Sequence, residues 1–296
     1  MSIFSKFFRL LYKFYLFFYR KIRYYPFIKY LNTEVPHKYR DLLLFTFTKS
    51  FLPDEIQLGK KIESFRSEIK KIDKPISSYG SPRSGSPLFD TNGVVLPGIL
   101  KKGYSHNLAK TGTNVFGGVQ LKKIIELVQQ PYVLELGTNT GLSGCYILSA
   151  LTQPHLTTIE GSPDLCEIAD SNLSRVSDQY DIRNEMFQDS INYFTSADKK
   201  FDIIFIDGQH EEKATLLYAD LVKPICNDFS ILIFDDIYWS EGMNNAWKKI
   251  VSSDSFSLTI DLGTRGIAIL DNSLSTKEHF SVTRFTGKPL FNRPGW

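Results

Sequence analysis

The sequence lacks most features that mark a secreted, zinc-stabilised or membrane-spanning protein. Its 296 residues include three cysteines, none of them in a C-x-x-C pair, which argues against both a disulfide framework and a zinc site. The longest uncharged run between residues 13 and 25 covers 14–19, far too short to span a bilayer, and no signal-peptide cleavage site follows it. A reducing cytoplasm therefore fits best, and 42% apolar residues allow a substantial core.

Acidic residues are absent from the first 33 residues, whereas cations and aromatic rings are dense there. Seven of the 35 Lys and Arg residues lie in this segment, which leaves 28 basic against 32 acidic residues in the rest of the chain. A nucleic-acid-binding surface is therefore poorly supported. Helical spacing places one set of side chains on the face opposite Lys6, Arg9, Lys13 and Arg20. That face consists of Phe4, Phe7, Phe8, Leu11, Tyr15 and Phe18.

This pattern predicts a basic, aromatic amphipathic helix. Such a helix suits the inner face of an anionic membrane, where rings lie at headgroup depth and cations reach phosphates. We therefore expect peripheral membrane contact through residues 1–30. The alternative is that the aromatic face packs on the core or on a second subunit.

Composition divides the chain into four predicted segments. These are the basic, aromatic residues 1–33, a helical extension with a Gly/Ser/Pro-rich lid loop (34–105), an α/β core (106–272) and a tail (273–296). The extension is expected to contain a helix over 54–74 and the loop over 77–103. In the core, apolar strands alternate with helices and end in a hairpin around Gly263. This order predicts an α/β fold with a Rossmann-like, doubly wound, mainly parallel sheet and a C-terminal antiparallel hairpin.

The dinucleotide-binding pattern G-x-G-x-x-G is missing after the first strand of this core. The chain there reads Glu135-Leu136-Gly137-Thr138-Asn139-Thr140-Gly141. A carboxylate two residues before the first glycine would repel a diphosphate, but it suits a cationic sulfonium. The spacing therefore disfavours a nicotinamide oxidoreductase.

The motif acid-x-Gly-x-x-x-Gly resembles that of class I S-adenosylmethionine-dependent methyltransferases. The resemblance implies S-adenosylmethionine as cofactor, with Glu160 at the end of the second strand holding the ribose hydroxyls. It also places Asp189 near the adenine ring, although Asp189 is equally suited to be a helix N-cap. The implied cofactor-binding residues are Glu135, Gly137, Thr138, Gly141, Glu160, Asp189 and Asp207.

Three carboxylates follow the fourth and fifth strands of the predicted core. Asp207 ends one strand, and the Asp235-Asp236 pair ends the next, so their charges should converge at one edge of the sheet. A divalent cation, Mg²⁺ above all, would relieve their repulsion and could hold an acceptor hydroxyl. His210 has the chemistry to remove that proton near neutral pH. Alternatively, Asp207 only touches the cofactor and the Asp235-Asp236 pair caps the next helix.

These residues resemble the cation-dependent O-methyltransferases, with two departures. Asp236 stands where the family has Asn, and His210 replaces the usual Lys base. The resemblance implies methylation of a hydroxyl on a small molecule, glycan or lipid-like acceptor, with His210 and Asp207 as catalytic residues. Two other functions stay open, namely metal-independent methylation of nitrogen or a carboxylate, and membrane-associated binding on a degenerate methyltransferase fold.

Overall fold

A computed structural model describes the chain from 3 to 287, except at 73–74, 81–98, 105–107, 154, 272 and 274–276. The middle of the predicted lid loop and the side chains of the first 13 residues therefore lie outside the described part. The helices are α1 (Ile3–Thr33), α2 (His37–Thr48), α3 (Pro53–Lys71), α4 (Val115–Ile125), α5 (Leu142–Ala150), α6 (Pro163–Leu173), α7 (Phe187–Ser196), α8 (Glu212–Leu221), α9 (Glu241–Ser252) and α10 (Thr283–Thr286). The strands are β1 (Pro75–Gly80), β2 (Ile99–Tyr104), β3 (Val133–Leu136), β4 (Leu156–Ile159), β5 (Tyr180–Arg183), β6 (Phe201–Ile206), β7 (Cys226–Phe234), β8 (Leu258–Asp261), β9 (Gly266–Asp271) and β10 (Glu278–Ser281).

One sheet contains the strands in the order β10-β8-β9-β7-β6-β3-β4-β5. All neighbours are parallel except at β9, which runs antiparallel to β7 and to β8. The order from β5 to β7 is that of a doubly wound α/β sheet, whose direction of winding reverses between β3 and β6. The predicted Rossmann-like, mainly parallel sheet with its antiparallel hairpin is confirmed.

Side chains of the central strands alternate between two hydrophobic cores. Ile203 and Phe205 of β6 face one core, which also contains residues of α1 to α5. Ile204 and Ile206 face the other, which contains residues of α7, α8 and α9. Because both faces of the sheet are covered, these strands are mostly apolar and do not alternate regularly with polar residues. Buried polar side chains within them are hydrogen-bonded, as Glu135 of β3 is to Thr158 of β4.

Four parts of the fold differ from the expectation. The predicted tail contributes β10, which pairs in parallel with β8 and extends the sheet beyond residue 272. The two ends of the predicted lid loop are not loop but pair as the antiparallel strands β1 and β2. Strand β5 was not expected, and α3 ends at Lys71 and not at 74. Among the described helices, none is both long and apolar enough to cross a bilayer.

Candidate functional site

The register of the sheet brings the polar strand ends together. Leu136 of β3 pairs with Ile206 of β6, and Ile206 pairs with Phe234 of β7. The residues that follow, Gly137, Asp207 and Asp235, therefore lie side by side at the switch point of the sheet. In open α/β sheets this crevice is where ligands bind.

The loop after β3, here called the Gly137 loop, passes very close to the backbone of Asp207 at the end of β6. Gly137 has φ +108°, and a Cβ atom there would lie 2.3 Å from the carbonyl oxygen of Asp207. The Gly137 and Thr138 amides both donate to the Ile159 carbonyl, at 3.1 and 3.2 Å. Gly141 then precedes α5 at its N-cap. Only glycine fits at the first of these positions, because both the left-handed backbone and the contact exclude a side chain.

Glu135 lies beneath this loop and does not line the cavity above it. The carboxylate is fully buried and accepts a hydrogen bond from Thr158 Oγ1 at 2.7 Å, while Thr158 also contacts the Thr138 hydroxyl at 2.6 Å. Burial raises the pKa of Glu135 to about 7, against the hydrogen bonds from Ser143 and Thr158. Glu135 therefore supports the loop from below.

Glu160 and Asp189, two further acids expected at the cofactor, have different surroundings. Glu160 follows β4, and its two oxygens accept from the Asn139 amide at 2.9 Å and the Ser162 amide at 3.0 Å. Burial raises the pKa of Glu160. Asp189 is exposed in the first turn of α7, whose N-cap is Met186. The N-cap role considered for Asp189 is therefore wrong, and neither acid lines the cavity.

The carboxylates after β6 and β7 meet a buried arginine. Arg265 is 2% exposed, and its guanidinium faces both oxygens of Asp235: Nη2 donates a hydrogen bond to Oδ2 at 3.1 Å, and Nε lies 3.1 Å from Oδ1 in the ion pair without hydrogen-bond geometry. Nη2 also donates to Thr113 Oγ1, and Nη1 donates to the Gly117 carbonyl. The charge of Asp235 is thus compensated within the protein.

The other two carboxylates are flanked by His210. Its Nε2 lies 3.6 Å from Asp207 Oδ1 and 3.8 Å from Asp236 Oδ2. Burial, followed by repulsion from Asp235, raises the pKa of Asp207 well above its usual value. The same two causes raise the pKa of Asp236 to about 6, and His210 opposes the shift. The Asp-Asp pair does not cap α9, because the N-cap is Ser240.

Three non-glycine residues at this edge adopt a left-handed backbone. Asn139, Gln209 and Asp236 have φ values of 51°, 47° and 53°. Each lies two or three residues after the end of a strand, in the loop that follows it at the crevice. Such strained positions concentrate at functional sites, where they aim a side chain.

A cavity of about 480 Å³ lies above these residues. Its volume is in the range of small-molecule and cofactor sites. The lining residues are Lys110, Thr111, Gly112, Thr113, Asn114, Phe116, Gly117, Gly137, Thr138, Asn139, Thr140, Leu142, Ser143, Asp207, His210, Asp235, Asp236, Trp239, Thr264 and Arg265. The structure therefore brings Gly137, Thr138 and the acidic cluster with His210 into one cavity.

A divalent cation fits this acidic cluster poorly. Asp235 already pairs with Arg265, so the set of three uncompensated carboxylates that we expected is reduced to Asp207 and Asp236. In the described part of the chain, no three His, Cys, Asp or Glu side chains are grouped so that they could hold a metal ion. The Mg²⁺ site on Asp207, Asp235 and Asp236 stays a prediction.

Arg265 was missed by the sequence reasoning, although a signal for it exists. Gly266 of β9 pairs with Phe234 of β7, so the residue before Gly266 must lie beside Asp235. From the sequence alone, the hairpin turn that contains Arg265 indicates only a connection between two strands. A cation in that turn, opposite a predicted acidic pair, would have indicated the contact once β9 was placed beside β7.

Part of the chain that forms this cavity matches a known protein family. A family model described as a methyltransferase domain matches residues 134–237. This match begins in β3, ends just after β7, and covers about a third of the chain. No curated protein matches significantly.

Solved structures with a similar arrangement are distant in sequence. An O-methyltransferase from Bacillus cereus in complex with SAH has 20% identity and a TM-score of 0.48, over 56% of this chain and 85% of that one. A putative O-methyltransferase from Klebsiella pneumoniae has 15% identity and a TM-score of 0.48, over 77% and 94%. A putative caffeoyl-CoA O-methyltransferase from Staphylococcus aureus has 20% identity and a TM-score of 0.45, over 54% and 85%.

Proposed function

We propose that this chain is a class I S-adenosylmethionine-dependent methyltransferase that methylates a hydroxyl oxygen. The observation that carries the proposal is the cavity at the switch point, which joins the Gly137 loop to His210 and its two carboxylates. The methyltransferase-domain match over residues 134–237 supports the methyl-transfer part of this proposal.

The residues of the loop fit this cofactor. Gly137 allows the loop to approach the backbone of Asp207 closely at the cavity wall, and Asn139, which lines the cavity, has a buried Oδ1 without a hydrogen-bond partner. A buried acceptor of this kind is costly unless a ligand donor meets it. S-adenosylmethionine, when bound, supplies an electrophilic methyl group on a positively charged sulfur. The nearby acidic residues suit that positive charge.

His210 is the residue we assign as the base. A neutral imidazole can accept the proton of an acceptor hydroxyl, and the imidazolium that forms then faces Asp207 and Asp236 within 4 Å. Since the pKa of Asp236 is about 6, this carboxylate is mostly ionised at neutral pH and stabilises the imidazolium. We expect activity to fall as the pH drops through about 6, because Asp236 then loses its charge.

Arg265 supplies positive charge beside the acidic cluster, which a metal ion would otherwise have to supply. A fixed guanidinium beside Asp235 lowers the repulsion among the carboxylates without binding an acceptor itself. We therefore favour methyl transfer without metal assistance. Small molecules, glycans and lipid-like acceptors are all compatible with a cavity that Trp239 borders with a 40% exposed ring.

The test measures the rate of S-adenosylhomocysteine formation with three series of acceptors. The series differ only in the reacting group, which is a hydroxyl, an amine or a carboxyl. We expect turnover with the hydroxyl series, retained in EDTA and reduced about 100-fold or more in His210→Asn. A Tyr193→Phe variant, changed at an exposed ring outside the cavity, is the control. Turnover confined to amines or carboxyls contradicts the acceptor class, and loss in EDTA contradicts metal independence.

A further inference from the structure

Helix α1 is attached to the core by one face of its C-terminal part. Phe27 stacks on Phe47 with ring centroids 4.2 Å apart, and Tyr30 contacts Phe285 at 5.0 Å. The Tyr30 hydroxyl also accepts a hydrogen bond from the Ser281 amide at 3.3 Å. Phe27, Tyr30 and Leu31 are buried, so this face of α1 is fixed on the protein.

The opposite face of α1 carries an exposed apolar stripe, formed by Phe14, Phe18, Ile22 and Tyr25. Spacings of four, four and three residues align these side chains along the helix. Ile22 is 77% and Tyr25 81% exposed, although both lie within a turn or two of the fully buried Phe27. From Phe14 to Tyr25 the stripe extends for roughly 17 Å. Because it points away from the packed face, the core of the same chain cannot cover it.

Cations border this stripe. Lys21 and Lys29 are exposed beside it, and the Lys21 ammonium lies 5.1 Å from the centre of the Phe17 ring. On the side of α1 that carries Phe27, Arg23 lies 5.3 Å from the Tyr19 ring and adds to the positive charge of the helix. Their aliphatic stems thus run along aromatic surface while the charges stay in water. No acid is present in the first 33 residues to neutralise them.

We propose that the exposed stripe of α1 binds the surface of an anionic membrane, with the helix lying in the interface. Aromatic rings and cations on one helix meet both requirements of such a surface, which offers apolar depth and negative headgroups. A second copy of the chain is a poorer partner, because pairing two of these segments would bring together like charges without any acid between them. The inference is independent of the proposed methyl transfer.

Co-sedimentation of the full chain with vesicles tests the proposal. Phosphatidylcholine vesicles with roughly 30% phosphatidylserine should pellet the protein, pure phosphatidylcholine should pellet much less, and high salt should release it. We expect an Ile22→Ser/Tyr25→Ser variant to reduce the apparent partition coefficient about tenfold. A Lys21→Glu/Lys29→Glu variant should reduce it by at least as much.

The matched control is Ile56→Ser/Tyr132→Ser, which removes one aliphatic and one aromatic side chain, 44% and 49% exposed, away from α1. It should pellet like the unaltered chain, and circular dichroism should show all variants folded. Equal pelleting with and without phosphatidylserine, or an unchanged stripe variant, overturns the proposal. A lipid-free dimer in sedimentation velocity that the stripe variant dissociates would assign the stripe to self-association instead.

Discussion

Replacement of Arg265 by methionine should destabilise the protein far more than a typical surface change. The guanidinium is 2% exposed and is the cation that faces both oxygens of Asp235, whose side chain is 13% exposed. Removing one partner of a buried ion pair costs about 3–5 kcal/mol, since the other charge stays buried without compensation. The Gly117 carbonyl and the Thr113 hydroxyl also lose a donor. We therefore expect the free energy of unfolding to fall by about 4 kcal/mol in urea denaturation.

Arg284→Met is the matched control, because Arg284 is 66% exposed and lies 3.8 Å from Glu34 in an ion pair at the surface. That change should cost less than about 1 kcal/mol. Adding Asp235→Asn to Arg265→Met should recover most of the loss, because the uncompensated charge is then gone. If Arg265→Met and Arg284→Met have equal effects, Asp235 does not depend on the buried guanidinium and the reasoning is refuted.

The same variant tests whether the arginine stands in place of a metal. Without Arg265, three carboxylates converge with no cation, so Mg²⁺ should raise the unfolding midpoint of Arg265→Met and leave that of the unaltered chain unchanged. A monovalent salt at equal ionic strength is the control. A Mg²⁺-dependent shift in the unaltered chain would show that the metal site expected from the sequence exists beside Arg265.

Three further predictions concern the crevice. Gly137→Ala should lower the free energy of unfolding in urea by on the order of 3 kcal/mol or more, because its Cβ would lie 2.3 Å from the Asp207 carbonyl oxygen. Gly112→Ala, also at positive φ but with open space around it, is the control and should lower it by about 1 kcal/mol; similar losses would contradict the contact. Burial raises the pKa of Glu135 to about 7 in the folded protein, against an ordinary 4.5, so the free energy of unfolding should fall by about 2–3 kcal/mol as the pH rises from 5 to 8. Glu135→Gln should abolish this pH dependence, and the same dependence of unfolding free energy on pH in the variant would refute the assignment to Glu135. Asp236→Asn should lower kcat at neutral pH, because the imidazolium formed on His210 then lacks the carboxylate 3.8 Å from its Nε2, and an unchanged kcat would refute this role of Asp236.

The sequence predicted the fold because the signals for it are local. Strand β6 is apolar except at Asp202, and the Gly137 loop, which connects β3 to α5, contains the recognisable glycines Gly137 and Gly141. The carboxylates at the strand ends could be placed together because parallel strands share an edge. Strand β10 was missed because Glu278–Ser281 has a single buried side chain, Phe280, and thus no strand pattern.

What the sequence could not provide was the pairing of charges across the sheet. Arg265 and Asp235 are 30 residues apart and meet only because β9 inserts between β8 and β7. Without that strand order, three carboxylates appeared uncompensated and a metal was the natural inference. Glu135 was likewise placed at the cofactor by its motif, whereas burial beneath the loop depends on Thr158 from the neighbouring strand.

The most direct test of the central claim is calorimetric titration of S-adenosylmethionine and S-adenosylhomocysteine into the full chain, with EDTA and then with Mg²⁺. We expect both ligands to bind saturably at one site, with the same affinity in either condition. If neither ligand binds, the crevice is not a methyltransferase cofactor site. Function would then have to be sought elsewhere, beginning with the exposed stripe of α1.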